Sequence, residues 1–460
     1  MRKLTTSITA ALFLILALDL PAEQRALLVG VGKYSVPGID LPGIDLDLER
    51  MRETLNIMGF EDKQIRTLMD EKATSKNVTR EFKTWLRDGV EPDDRVVFYY
   101  SGHGSNNPDF DGDEEDGVDE VLVTHDVRRV TKNGRRMLTG VVNDDTLAKL
   151  IDAIPSNNIL IIVDACHSGT VTRDVMMDNL SLGSDPIFTK SFAYSGMPEG
   201  NTFAIEKELS ESVDSNFVSM SAAGDGEKAI GTTSGGVFTI GLTNAIRDSA
   251  QQARAMSIVE LRDSAAEYIR GHVDEWAIHN PQVFGNEQLA KGALKILPLA
   301  EGNGPNRKKL LDMVAKQDRP FEMSANKEIF TLGDPVELRM TIPFDGYLNV
   351  ITVDSQDNAT VLFPNSFHAD HAVKAGEFRI PTEQMEFQLP ASEPIGPTLI
   401  VAFVTADPVN FYTSTLDDRN ADGSIDVALA SMSHVATRAI QVAPRKKEMY
   451  ATKIEVDVQP

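Results

Sequence analysis

Four continuous apolar runs, near residues 25–31, 95–101, 159–164 and 216–221, predict buried strands. Between and after them apolar residues recur at helical spacing, near 45–58, 78–88, 145–153, 237–250 and 257–271. Strands alternating with helices imply an α/β unit over 25–298, a mostly parallel sheet covered by helices on both faces. Beyond about Phe321 the texture changes to short runs at 335–342, 346–353, 359–364 and 398–404, broken by Gly, Pro and Asn. That spacing predicts a smaller all-β, sandwich-like domain over 321–445. The stretch 299–320, opening Glu301-Gly-Asn-Gly-Pro-Asn-Arg-Lys-Lys309 and carrying a short helical pattern, reads as a linker, and 446–460 as a C-terminal tail. At the front, Arg2 and Lys3, an apolar stretch over 8–18 and small residues up to Ala22 read as a secretory signal over 1–22. It is too short for a confident membrane span, and no other stretch is long and apolar enough for one.

Two of the predicted strands break at small residues that carry chemistry. The run Ile159-Leu-Ile-Ile-Val-Asp-Ala-Cys166-His-Ser-Gly169 leads into the only cysteine of the chain, and Asp94-Arg-Val-Val-Phe-Tyr-Tyr-Ser-Gly-His103-Gly104 presents a histidine between glycines. Parallel strands end at one edge of a sheet, so loops just after them converge across a crevice. A thiol reacts as its thiolate, which an adjacent imidazole can generate. His103 and Cys166 therefore read as a catalytic dyad, with the amides of Gly104 and Cys166 as candidate oxyanion donors. Taken singly, each residue fits a plainer role, a buried thiol or a loop imidazole. Their matched settings favour the dyad. His167 reads as shaping the turn, and a lone cysteine in an exported chain can form no internal disulfide.

Ser-Gly-His-Gly followed by Asp-Ala-Cys-His-Ser-Gly, each ending an apolar strand, resembles the caspase-like cysteine peptidases, most closely the metacaspase and bacterial caspase-homologue branch. Arg25-Ala-Leu-Leu-Val-Gly-Val-Gly-Lys-Tyr34, Gly43-Ile-Asp-Leu-Asp-Leu-Glu-Arg-Met51 and Gly235-Gly-Val-Phe-Thr-Ile-Gly241 extend the resemblance over about 25–298. It implies a caspase-like fold, a Cys166–His103 endopeptidase, and cleavage after arginine or lysine. Such specificity has a physical basis, since carboxylates in a partly desolvated pocket bind a guanidinium best. Asp164, two residues before the nucleophile, points by strand alternation to the same side as Cys166. Asp47 and Ser101 match further substrate-pocket positions, whereas Ile44 stands where many metacaspases carry cysteine. Read alone, Asp164 could cap the turn and Asp47 could be a solvated helix residue. The β-domain, with Gly346-Tyr-Leu and Leu362-Phe-Pro-Asn365, resembles an uncharacterised bacterial domain joined to peptidases and kinases, and reads as a recognition or anchoring module for a protein partner.

Acidic residues crowd the stretch 109–120, yet Glu114 stands where a calcium loop of the EF-hand type needs glycine, so that motif is rejected. The resemblance requires no cofactor and offers calcium as an added ligand of Asp119, Asp144, Asp145 and, after a one-residue insertion, Asp174. Asp144 or Asp145 serves equally well as a helix cap near Thr146. A second partial loop, Asp418-Arg-Asn-Ala-Asp-Gly-Ser-Ile-Asp426, lacks its closing acid because Leu429 stands there, and reads better as a metal-free turn.

Formal net charge is −24, or −25 without Arg2, Lys3 and Asp19. This argues against nucleic acid and anionic membranes as partners and favours approach of basic protein or peptide substrates. The arginines at 128–136 lie on an expected exposed hairpin and are a candidate self-cleavage site; Arg173 and Lys190, in the long loop after the nucleophile, are others. The competing reading is an idle member of the fold acting as a scaffold through its β-domain. A periplasmic or secreted peptidase is the expectation.

Overall fold

The computed structural model describes residues 23–460 except 111, 113–116, 167–180, 183–184, 199–214, 225, 299–303, 318, 366, 383, 386, 412–424 and 427–448. The expected signal, His167, Arg173, Asp174 and most of the second partial calcium loop lie outside the described residues.

The first unit runs β1 (Gln24–Gly30), α1 (Ile44–Ile57), β2 (Ile65–Met69), α2 (Ser75–Glu81), β3 (Arg95–Ser101), β4 (Gly104–Pro108), β5 (Val118–Lys132), β6 (Arg135–Asn143), α3 (Asp144–Asp152) and β7 (Ile159–Asp164). It continues with β8 (Ser181–Leu182), β9 (Asp185–Thr189), β10 (Phe217–Ser221), β11 (Ile230–Thr232), β12 (Gly235–Gly236), α4 (Val237–Gln251), α5 (Ile258–His272), β13 (Gln282–Gly285) and α6 (Glu287–Lys291). The central sheet has the order β13-β10-β7-β3-β1-β2, parallel except for β13. Its inner strands are apolar on both faces because helices cover both. In β7, Ile159, Ile161 and Val163 enter one core with Leu27 and Phe98, while Leu160 and Ile162 enter the other with Leu28 and Val97. Helix starts follow local chemistry: Asn143 caps α3 through Thr146 N, and Ser257 and Glu260 form a capping box on α5. Neither Asp144 nor Asp145 is the N-cap of α3.

β4, β5 and β6 form a separate antiparallel sheet beside the strand ends. The expected hairpin is its tip, closed by Asn133 and Gly134, both with positive φ, the geometry a two-residue hairpin turn favours. Edge strand β2 was not expected, since exposed Arg66 and Thr67 interrupt its apolar pattern.

The stretch read as a linker is a docked helix, α7 (Pro305–Ala315), which buries Leu310 and Met313 in the core of the second unit. That unit contains β14 (Met323–Ala325), β15 (Ile329–Thr331), β16 (Leu338–Ile342), β17 (Gly346–Val353), β18 (Ala359–Phe363), β19 (Ala372–Val373), β20 (Gly376–Ile380), β21 (Gly396–Thr405), β22 (Ile425–Asp426) and β23 (Met449–Gln459). A three-stranded sheet, β14-β16-β20, and a seven-stranded one, β15-β23-β21-β17-β18-β22 with β19 on β17, contribute to one shared core. The expected C-terminal tail is instead β23, lying between β15 and β21 and paired with β21 from Met449 to Val458.

The two units meet through α7 and α1. Lys309 is ion-paired with Glu49 and Glu53, and Gln251 Nε2 donates to Gln356 O and Asn358 Oδ1 at 2.6 and 2.9 Å. Asp357, buried and at φ 69°, accepts the amides of Asn306 and Arg307 at 2.8 Å each, holding the start of α7. Burial pushes its carboxyl up to about 6, against those two donors, which pull it down. The folded state therefore holds this proton more tightly than the unfolded chain. The contribution to stability is full below the ordinary value of 3.8 and is lost as pH rises through about 6, amounting to at most about 3 kcal/mol. Thermal unfolding across that range should show a shallower decline for Asp357→Asn than for the wild type.

Candidate active site

β3 and β7 are neighbours, with Ser101 in register with Asp164. His103 and Cys166 each stand two residues past that pair, so the two loops leave the sheet side by side. Both side chains are buried. The histidine is held at several points: its amide donates to Tyr34 Oη at 2.8 Å, and Tyr100 Oη donates to its carbonyl at 2.7 Å. Its Nε2 lies 2.8 Å from Ile39 O. A carbonyl can only accept, so the neutral ring carries its proton on Nε2 and its basic lone pair on Nδ1. Burial drives the Tyr34 and Tyr100 phenols well above their ordinary range, which keeps both neutral as hydrogen-bonding partners.

The three pocket residues expected from sequence converge. Asp47 arrives from α1, Ser101 from the end of β3 and Asp164 from the end of β7, all fully buried. Between them sits the ammonium of Lys190, itself 0% exposed. Its Nζ lies 3.0 Å from Asp47 Oδ2, 2.8 Å from Asp164 Oδ2 and 2.9 Å from Ser101 Oγ. Secondary contacts fix the acids: Ser101 Oγ donates to Asp47 at 2.8 Å, Gly236 N to Asp47 at 2.8 Å, and Thr239 Oγ1 to Asp164 at 2.6 Å. Burial opposes the Lys190 charge, but the two carboxylates together outweigh it and raise the lysine above its ordinary range. Two buried acids share one ammonium. Burial, reinforced by Asp47 and only partly offset by Lys190, accordingly raises Asp164.

Glycine is required at two places in this pocket. Gly43, at φ 79°, opens α1 so close to the β11–β12 turn that a Cβ would stand 2.6 Å from Gly235 N and from Thr232 O. A Cβ on Gly236 would stand 2.1 Å from Asp164 Oδ2 and 2.4 Å from Lys190 Nζ, in the space a basic side chain fills.

The main chain of Lys190 is as informative as its side chain. Its carbonyl oxygen accepts from Gly104 N at 2.9 Å and Cys166 N at 3.2 Å, the two amides expected to form an oxyanion hole. Upstream, β9 pairs antiparallel with β11, and Lys190 N donates to Ala229 O at 3.0 Å. Downstream, Phe192 N donates to Gly104 O at 2.8 Å. Residues 185–192 thus thread the crevice as an added strand, with the Lys190 carbonyl held at Gly104 and Cys166.

The structure places His103, Gly104, Cys166, Asp47, Ser101 and Asp164 around this crevice, and Ile44 is buried at the start of α1. Lys190 was identified from sequence only as a basic residue open to cleavage. Gly236 and Thr239 lie in the Gly235–Gly241 stretch that extends the resemblance but had no pocket role assigned, and Ile39 carried no signal, since their roles depend on a close approach, a helix start and a backbone carbonyl. The calcium candidates lie elsewhere in the sequence, at Asp119, Asp144, Asp145 and Asp174. Asp145 is paired with Lys149 at 2.7 Å, and Asp144 accepts the amide of Asp145 at 2.9 Å. Among the described residues no group of three or more acids, histidines or cysteines could hold a metal ion. The fourth candidate, Asp174, lies outside the described residues.

Known proteins resemble this chain chiefly over its first unit. The model of the caspase domain, peptidase family C14, matches residues 23–270, and a domain described only as of unknown function, DUF4384, matches 329–408. Metacaspase-1A of Aspergillus terreus is 32% identical over 157 residues, 32% of this chain and 36% of that protein. Metacaspase-1 of Scheffersomyces stipitis is 33% identical over 156 residues, 32% of this chain and 36% of its own. The chain spans about a third of the length of these curated relatives. Among solved structures, a Geobacter sulfurreducens protein aligns over 60% of this chain and 99% of its own at 21% identity and TM-score 0.42. Caspase-1 of Spodoptera frugiperda aligns over 57% and 86% at 11% identity and TM-score 0.36. The caspase-domain match alone covers more than half of the sequence, and the protein belongs to the caspase-domain family of cysteine peptidases.

Proposed function

We propose that the protein is an exported endopeptidase that cuts polypeptides after lysine or arginine and processes itself at Lys190–Ser191. The observation that carries this reading is Lys190, with its ammonium on Asp47 and Asp164 and its carbonyl on the Gly104 and Cys166 amides. In the reaction, His103 Nδ1 takes the Cys166 proton and the thiolate attacks the carbonyl carbon, whose oxygen becomes an oxyanion on the two amides. The C–N bond breaks as His103 returns the proton to the amine of the departing chain. Water then hydrolyses the thioester, aided by the same imidazole, and restores the thiol.

Export rests on the apolar leader in residues 1–22. Among the described residues no helix is long and apolar enough to cross a membrane. The β-domain, clamped by α7 to the helix that carries Asp47, fits a module that presents or anchors the peptidase.

The test uses fluorogenic peptides ending in lysine, arginine or aspartate, offered to the purified protein and to a Cys166→Ala control. Turnover of the basic peptides alone, absent from the control, is expected. Equal turnover by the control would sink the proposal. Stimulation by calcium that chelator reverses would give Asp119, Asp144, Asp145 and Asp174 a metal role.

A further inference from the structure

Resting on the reading of residues 185–192 as the chain's own substrate, we infer that recognition extends beyond the cut to an aromatic side chain two positions after the basic residue, selected by Arg129. In this chain that side chain is Phe192, at P2′ when Lys190 is P1, with Ile187 at P4 as the reference on the other side of the bond.

Only some side chains of the threaded segment are enclosed. Ile187 is 3% exposed and joins the hydrophobic cluster that contains Cys166, Ala229 and Ile230. Its strand register opposes it to Thr232, next along β11 from the Gly231 that borders the Lys190 side chain. Phe188 and Thr189, by contrast, are half-buried. On the other side of the bond, Ser191 contributes little side chain, and Phe192 is again 3% exposed. Its carbonyl accepts from buried Ser105 Oγ at 2.6 Å, its ring lies 6.1 Å from that of His103, and the Arg129 guanidinium stands over it at 5.0 Å. Arg129 belongs to β5, on the hairpin beside the strand ends, so that hairpin forms the roof of the primed side. An aromatic ring there gains burial and a cation–π contact that a small or acidic residue would forgo.

Arg129 is thus a specificity-determining residue for the second residue after the cut, and the preferred sequence around the bond is Lys/Arg-x-aromatic. Binding through two enclosed side chains on either side of the bond also explains why a single chain carrying many basic residues presents Lys190 in the crevice.

The experiment uses internally quenched peptides built on Ile-Phe-Thr-Lys-Ser-Phe, with Asp replacing Ile or Ala replacing Phe, hydrolysed by the self-processed full-length protein and by Arg129→Ala. Each replacement is expected to lower kcat/KM on the order of tenfold. In Arg129→Ala the advantage of Phe over Ala should shrink to near unity while the advantage of Ile over Asp persists. Equal rates for all lysine peptides would overturn the inference and leave cleavage after basic residues standing. Sensitivity at P4 alone would mean that the enzyme's own Phe192 keeps its place after the cut, and would overturn the assignment of Arg129. Hydrolysis of none of these peptides would overturn the proposed function together with this extension of it.

Discussion

Lys190→Gln is expected to leave the chain in one piece, whereas Lys190→Arg is expected to be cut like the wild type, giving a fragment whose first residue is Ser191. Gel electrophoresis with N-terminal sequencing reads both. The reason is electrostatic. Asp47 and Asp164 are fully buried and share the Lys190 ammonium, and leaving buried charges without their partner costs about 3–5 kcal/mol. Glutamine can donate hydrogen bonds to these acids but cannot neutralise them, so its carbonyl loses the anchor that holds it on the Gly104 and Cys166 amides. Arginine restores the charge and adds bidentate geometry. Cutting of the glutamine variant at the same bond would show that the pocket does not select the site.

Asp164→Asn should produce the second large effect, a fall in kcat/KM for lysine and arginine peptides of about two to three orders of magnitude, from the same cost of an incomplete buried pair. The loss should appear on basic peptides whatever follows the cut. Acidification of the wild type should act in the same direction. Burial raises Asp164, so as pH falls it takes up a proton sooner than an ordinary aspartate, and KM for basic peptides rises. An Asp164→Asn enzyme with unchanged kcat/KM would remove this carboxylate from the substrate pocket.

The strands that carry His103 and Cys166 were legible because continuous apolar runs ending at glycines or small residues leave few alternatives; Asp164 followed from alternation along its strand, whereas Asp47 and Ser101 came from the resemblance to the family. What stayed hidden depends on partners far along the chain. Lys190 is one basic residue among many until β9 pairs with β11 and its side chain enters a pocket built by α1, β3 and β7. β23 alternates Ile454, Val456 and Val458 with Lys453, Glu455 and Asp457, a pattern that also fits a polar tail, and only its pairing with β21 makes it a core strand. α7 was visible as a helical pattern. Its docking depends on Asp357 and on the acids of α1, which no local pattern reveals.

The position of β23 also orders events during synthesis. Every described element of the peptidase unit has been made by Lys291, whereas the accessory sheet lacks a strand between β15 and β21 until the ribosome has passed Gln459. Domains fold as units while a chain grows, earlier ones first. A nascent chain can therefore complete its crevice, with Lys190 in place, while its accessory partner is still an open sheet with unpaired strand edges.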